Sequence, residues 1–231
     1  ELSTRLGLPG IPAEAEIIML QRDLKLVEMT GGRYHASHIS TSASVEAIAV
    51  AKNAGLNVTC DTSPPYFSLN ELAVGEYRTF AKLSPPLRRE EDRKAIVEGL
   101  SNGIIDCIAS DHVPQDQDSK RLPFEQAEFG AVGLETLLQL TLELRHNGYL
   151  NLSNALSYIT YKPADLLGLP VGRLNIGGPA DLVVFDPDRP TRIEPSKFSS
   201  KSKNSPFDGR LVQGQVLLTV VDGRTVFSSA N

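Results

Sequence analysis

The 231-residue chain has a formal net charge of −5, and its 23 Lys and Arg are scattered among 28 Asp and Glu, so it carries no basic stripe of the kind that tracks nucleic acid. Its composition is that of a soluble globular protein with room for one large domain or two small ones, no apolar run approaches membrane-spanning length, and the opening residues lack a signal-peptide pattern. Cys60 and Cys107 fall in apolar runs and read as core thiols of a reducing compartment, not as a disulfide framework.

The chain opens on a turn-rich lead-in, Glu1 to Pro12, with no initiator Met and no strand before it, and reads as the middle of something longer. Over residues 13–29, Ile17, Leu20, Leu24 and Val27 recur at helical spacing, and Gly31-Gly32 ends the helix. Residues 33–39 read as a strand. Thr41 or Ser42 then caps a helix that runs to about residue 54 and stops at Gly55. Residues 56–61 form the next strand, followed by the Pro64-Pro65 break and a short helix within 68–74. The segment Lys82-Leu83-Ser84-Pro85-Pro86-Leu87-Arg88 is irregular, because its prolines remove donors and restrict the residues before them. After a helix over 90–100, the apolar run Ile104 to Ala109 reads as a short buried strand that stops abruptly at Ser110-Asp111-His112. A polar loop over 113–128 follows, long enough to suggest function or mobility. Then come an amphipathic helix over 131–147 and two shorter ones over 152–160 and 163–167.

Strand and helix thus alternate three times, the grammar of a parallel sheet or a (β/α) barrel. From Gly177-Gly178-Pro179-Ala180-Asp181 onward the pattern changes to strands, at 182–185, 211–219 and 224–227, the last two forming a hairpin across Asp222-Gly223. Three strand units are too few to close an eight-stranded barrel, which again points to sequence upstream.

Asp111 ends the central strand, and in parallel α/β folds the C-terminal strand ends carry ligands and catalytic groups. The alternative is that Asp111 starts a turn and His112 packs. His38 ends the strand over 33–39; alternation puts it on the face of Tyr34 and Ala36, with His35 on the other side. A lone strand-end His reads as structural. A His and an Asp at equivalent ends of neighbouring strands instead form a partial ligand set for a catalytic zinc, which takes about three protein ligands. Arg88, stiffened by the double proline, either grips an anion bidentately or bridges to Glu90 or Asp92. His146, at a helix C-terminus, reads as structural. No Gly-rich phosphate loop, Gly-x-Ser-x-Gly elbow or Cys-based metal cluster is present in the sequence.

Five segments, in order along nearly the whole chain, resemble the class I dihydroorotases of the amidohydrolase superfamily. They are His35-Ala36-Ser37-His38-Ile39-Ser40-Thr41, Lys82 to Arg88, Ile104 to Pro114, Phe124 to Glu135, and Gly178-Pro179-Ala180-Asp181-Leu182. The stretches Cys60 to Phe67 and Pro114 to Arg121 look most like the alphaproteobacterial branch. The resemblance implies that residues 1–170 are the C-terminal part of a (β/α)8 TIM-type barrel. It implies that residues 171–231 are a small β module normally completed by an N-terminal segment.

It further implies reversible hydrolysis of L-dihydroorotate to N-carbamoyl-L-aspartate in pyrimidine biosynthesis, by zinc-bound hydroxide at a site of one or two Zn2+. Asp111 would be metal ligand and proton shuttle, and His38 the last histidine ligand. Ser84 falls where the family often has a substrate-binding Asn, Gln115 where it often has a His, and Phe129 and Gly130 match a pair whose backbone meets the pyrimidine ring. Arg88 and His112 are further candidates. Ser84 is shorter than the Asn, and Gln115 neutral where the His can be charged, so both depart from the family's carboxylate-binding pattern. The family's His-x-His pair, its other metal ligands and its substrate-binding Arg would lie upstream, so this chain alone is expected to be inactive. The implied setting is a cytoplasmic homodimer that also associates with aspartate transcarbamoylase, with no nucleic acid or membrane partner. Two alternatives stand beside it: a hydantoinase- or allantoinase-type cyclic amidohydrolase, and a non-catalytic scaffold for aspartate transcarbamoylase.

Overall fold

The computed structural model describes residues 2–229. In chain order these hold α1 (Leu2–Leu6), α2 (Ala13–Thr30), β1 (Tyr34–Ala36), α3 (Ser42–Asn53), β2 (Val58–Thr62), α4 (Pro64–Ser68), α5 (Glu90–Ser101), β3 (Cys107–Ile108), α6 (Gln117–Arg121), α7 (Leu137–His146), α8 (Leu152–Ser157), α9 (Tyr161–Leu167), β4 (Leu182–Arg192), β5 (Leu211–Val221) and β6 (Arg224–Ser228). They pack as two units. One runs up to Glu135 and includes Pro195–Asp208; the other joins Thr136–Glu194 to the residues from Gly209 onward. No helix among the described residues is long and apolar enough to cross a membrane.

In the first unit β1, β2 and β3 form a parallel sheet in that order, with Ala36 opposite Cys60 and Asp61 opposite Cys107. Helix α2 packs on α3 and β1, and α3 on α5 and β2. The helical spacing explains which side faces in: Leu20, Leu24 and Val27 of α2 are buried, as are Ile48 of α3 and Ile96 and Leu100 of α5. Each such side chain contributes roughly 1.5–3 kcal/mol of transfer free energy. Thr41 caps α3, its hydroxyl accepting the Ser44 N–H, and Gly31 closes α2 in the left-handed conformation. Both cysteines are buried and neither is in a disulfide, and burial pushes the Cys60 thiol up to about 12.

The elements are shorter than the hydrophobic pattern predicts. β1 stops at Ala36 because His38 turns into the left-handed region, φ 58°. β3 pairs only at Cys107 and Ile108, since the Asp106 carboxylate takes the Cys60 N–H at 2.8 Å and the Lys52 ammonium at 2.6 Å. Pro64-Pro65 does not break the chain but starts α4, where a missing N–H costs nothing. The helix expected over 131–147 begins only at Leu137. Ala131 bridges to His112 as a strand would, and Gly133 lies against the Ser110 carbonyl.

In the second unit α7 packs on α8 and β5, and β4, β5 and β6 form an antiparallel sheet. Asp222 and Gly223, at φ 50° and 73°, make the two-residue turn expected from their sequence. Arg210 of this unit forks onto Glu143 of α7 at 2.8–3.0 Å, and His146 and Arg145 hold Asp188, so His146 is structural as expected.

A Cβ at Gly133 would collide with the Ser110 carbonyl oxygen, one residue from Asp111. Gly133→Ala should therefore destabilise the chain by about 2 kcal/mol or more, the range of overpacking costs, in a urea unfolding midpoint. An unchanged midpoint would show that the 131–134 segment is free to move away.

Candidate active site

The site is built on a buried carboxylate. Asp61, near the end of β2 and 5% exposed, receives His35 Nε2 at 2.8 Å and the Ser37 hydroxyl at 3.0 Å on one oxygen, and the His38 backbone N–H at 2.7 Å on the other. Burial raises its pKa, but bonds from His35 and His38 outweigh it and hold Asp61 well below the usual carboxylate range. His35 is engaged at both ring nitrogens, Nδ1 meeting the Thr59 hydroxyl at 2.8 Å. The expectation that His35 and His38 face opposite ways does not hold: the strand ends before His38, and its left-handed turn swings both imidazoles onto Asp61. Cys107 adds its thiol to this group, with one ligand atom from each of His35, Asp61 and Cys107 within 4.8 Å of one another.

His38 and Asp111 meet across the end of β2. Their strands are the two flanking ones, not immediate neighbours. His38 Nε2 stands 3.6 Å from Asp111 Oδ1, while Nδ1, 2.9 Å from Asp61 Oδ1, is buried without an aligned hydrogen bond. The Asp61 carboxylate beside the ring raises the His38 pKa against the opposing effect of burial, and Asp111 adds to the rise. Burial raises the Asp111 pKa; His38 and the Ser63 hydroxyl, 3.4 Å from Oδ2, only partly offset this. Asp111, like His38, is left-handed, at φ 48°. Two non-glycine residues in that region cost about 1–3 kcal/mol each, which the surrounding bonds must sustain.

The 3.6 Å gap is too long for a hydrogen bond. It matches the roughly 3.3–3.6 Å between two ligands at tetrahedral angles about one zinc ion with bonds of about 2.0–2.2 Å. One imidazole and one carboxylate fit such an ion as part of its ligand set.

A cavity of about 300 Å³ opens beside His38, lined also by Ser84, Arg88, Glu16 and Tyr34. Ser84 is exposed there. Its loop is seated by Tyr66, Leu83 and Leu87, with the Tyr66 hydroxyl donating to the Pro85 carbonyl at 2.8 Å. Arg88 bridges neither Glu90 nor Asp92. Glu90 is taken by Arg93 and Asp92 by the Ser42 N–H, so Arg88 turns the other way, to the Ser40 hydroxyl at 3.1 Å, the Ile11 carbonyl at 2.7 Å and Glu16 at 3.6 Å. Glu16 in turn accepts from the Ser40 and Thr41 N–H groups and the Ser44 hydroxyl.

His112 and the loop after it form a second group. His112 Nδ1 accepts the Gly133 N–H at 3.1 Å, the packing role weighed for it in the sequence. Gln115 Nε2 donates to the Phe129 carbonyl at 2.9 Å, and the Gly130 N–H donates to the Lys82 carbonyl. Phe129 is part-exposed beneath the Lys82 ammonium, 4.6 Å from its ring centre, and Gly130 is buried. Lys82 Nζ also binds the carbonyls of Glu125 and Ala127, and buried Lys120 that of Glu128, so two lysines fold the loop. Gln115 lines a larger cleft of about 780 Å³ with Lys120 and Asn204, not the cavity of His38.

The structure thus joins His38 to Asp111, and Ser84 to Arg88. It places Gln115, Phe129 and Gly130 on one loop. Sequence reasoning missed Asp61, although an acidic residue inside a predicted buried strand is itself a signal. Glu16 and Asn204 gave none, being polar residues in a helix and a polar segment.

The amidohydrolase family model matches residues 11–226. A dihydroorotase of Wolbachia sp. subsp. Drosophila simulans is 49% identical over 229 residues, 99% of this chain and 52% of that protein. One of Anaplasma phagocytophilum is 51% identical over 227 residues, 98% of this chain and 51% of that protein. Among solved structures, an L-hydantoinase (dihydropyrimidinase) from Arthrobacter aurescens superposes with a TM-score of 0.89 at 34% identity, covering 94% of this chain and 49% of that one. A dihydropyrimidinase from Brevibacillus agri gives 0.89 at 27%, with 94% and 49% covered. The chain spans about half the length of the curated relatives it matches.

Removing the buried Asp61 carboxylate strips the His35 ring, the Ser37 hydroxyl and the part-buried His38 N–H of their shared acceptor, so Asp61→Ala should cost about 3–5 kcal/mol in denaturant unfolding; a cost below about 1 kcal/mol would deny it the central role. Lys120 gives a pH signature. Burial, with Lys82 adding, lowers its pKa from 10.5 to about 8. The unfolded chain therefore binds more protons between those values, and stability rises with pH through that window by roughly 1–3 kcal/mol. Lys120→Met should abolish the rise in unfolding free energy measured from pH 7.5 to 10; a parallel pair of curves would contradict it.

Proposed function

The chain belongs to the amidohydrolase family, and from that premise we propose that the complete protein is a dihydroorotase, hydrolysing L-dihydroorotate reversibly to N-carbamoyl-L-aspartate in pyrimidine biosynthesis. The observation that carries a hydrolytic centre is the approach of His38 to Asp111 at strand ends. The curated relatives, at 49–51% identity, support dihydroorotate over the hydantoins suggested by a solved structure at 34%.

In this reading residues 1–170 are the C-terminal part of a (β/α)8 barrel, and residues 171–231 a small β module completed by the N-terminal segment. The remaining strands would continue the sheet from the outer edges of β1 and β3. His38 and Asp111 would hold a zinc ion, with further ligands from the other half of the protein, since a catalytic zinc takes about three protein ligands. Bound there, zinc would contribute Lewis acidity towards the ring amide carbonyl and towards water.

The residues of this chain do the rest. Asp61 fixes the His38 ring by holding its backbone. Asp111 takes a proton from the attacking water and returns it to the ring nitrogen as the C–N bond breaks. Ser84 offers a hydroxyl at the cavity mouth to the substrate carboxylate. The Phe129-Gly130 backbone meets the ring, with Gln115 holding the Phe129 carbonyl. Arg88 braces the wall through Ser40 and Glu16 and does not bind substrate. The resemblance also supports a cytoplasmic homodimer that associates with aspartate transcarbamoylase.

The test is turnover of L-dihydroorotate by the full-length protein with added zinc, beside hydantoin as competitor. We expect turnover of dihydroorotate, none by the 231-residue chain alone, and a fall in kcat of about 10²–10⁴ in Asp111→Asn. Faster turnover of hydantoin would favour the hydantoinase reading, and a folded, zinc-loaded but inert full-length protein the scaffold reading.

A further inference from the structure

Asn204 belongs to no helix or strand and lies 93 positions beyond Asp111 in sequence, yet it is 3% exposed and sits between the two limbs of the loop that carries Gln115, Phe129 and Gly130. Its Nδ2 donates to the Val113 carbonyl at 3.3 Å on the first limb and to the Gly130 carbonyl at 3.1 Å on the second. Its Oδ1 accepts the Gln115 N–H at 3.3 Å, and its own carbonyl accepts the Val132 N–H at 3.1 Å. Both ends of the amide are used, and each contact falls on the main chain. The donor end faces two carbonyls, so no carboxylate or apolar side chain of similar size can replace it.

The segment bearing Asn204 has an anchor of its own. Glu135 accepts the Ser199 and Ser200 N–H groups at 2.9 and 3.1 Å, and Phe207 is buried just beyond. The segment bearing the amide is therefore tied down at Glu135, five residues beyond Gly130, as well as at Asn204 itself. Val113 is two residues from Asp111, and a Cβ at Gly130 would press on Val113 at 2.5 Å, so the limbs are in contact and their spacing is narrowly defined.

We infer that Asn204 is a positioning residue: it fixes the main chain of Phe129-Gly130 relative to Asp111 and so sets where the substrate ring lies. This rests on the dihydroorotase reading for the identity of the ring, but not for the clamp itself. Because it touches no reacting atom, its loss should weaken substrate binding far more than the chemical step.

The experiment compares full-length wild type with Asn204→Asp, which keeps the shape and reverses the donor, and Asn204→Ser, small enough to fold without strain. For L-dihydroorotate we expect KM to rise about tenfold or more, with kcat per zinc-loaded site within about threefold of wild type. Amide exchange at Gly130, whose N–H bonds Lys82 and not Asn204, should speed up about tenfold or more while the amides of β2 keep their protection. An unchanged Gly130 exchange rate in both variants, or a KM within about twofold of wild type together with only a lower melting temperature, overturns the inference. If wild type does not turn over dihydroorotate, the substrate reading fails by that result alone, and the Gly130 exchange rate still decides the role of Asn204.

Discussion

A carboxylate taken out of water must be met by donors on both oxygens, and the first unit is arranged to meet that demand at Asp61. The donors come from one short stretch, His35, Ser37 and His38. To deliver them the chain has to leave the strand after Ala36 and turn back, which is what the left-handed His38 accomplishes. Satisfying Asp61 thus ends β1, aims the His38 ring, and brings it towards Asp111 from the far side of β2. The charge that would be expensive in isolation becomes the fixed point from which the site is measured.

The same reasoning explains why strain collects where it does. His38 and Asp111 both occupy a conformation disfavoured for residues with a Cβ, and each is held by neighbours that would lose more by releasing it. For His38 the restraint is Asp61. For Asp111 it is the following residue: His112 receives the Gly133 N–H and pairs with Ala131, locking the turn against the 131–134 segment. Two sharp turns at strand ends present an imidazole and a carboxylate face to face without the flexibility of a long loop, in keeping with the rule that precise sites are built at the ends of rigid elements.

Much of this was legible in the sequence where local pattern and chemistry agree. The helical spacing in α2, the Thr41 cap and the Asp222-Gly223 turn each have a local cause, and each stands in the structure. What escaped the pattern was set by distant partners. Ala131 to Thr136 carries helical periodicity, yet its backbone pairs with His112 and Asn204 instead. Arg88 looked ready for its sequence neighbours Glu90 and Asp92, but those carboxylates had nearer donors and Arg88 found Glu16. Alternation along a supposed strand separated His35 from His38, and one left-handed residue reunited them. Such outcomes depend on which long-range acceptor is left over, which no local window contains.

The buried polar network also separates residues that look alike by type. Arg88 and the two loop lysines are cations near the cavities, and charge alone would nominate all three for an anionic substrate. Their acceptors argue otherwise. Arg88 has a carbonyl, a hydroxyl and a carboxylate of the protein around it, and Lys82 and Lys120 point at main-chain carbonyls. A cation already surrounded in this way would have to give up those bonds to take a ligand, and the bonds it makes run within the wall and the loop. The groups with less to lose are the Ser84 hydroxyl at the cavity mouth and the facing pair His38 and Asp111, set too far apart to hydrogen-bond each other and close enough to share a third partner.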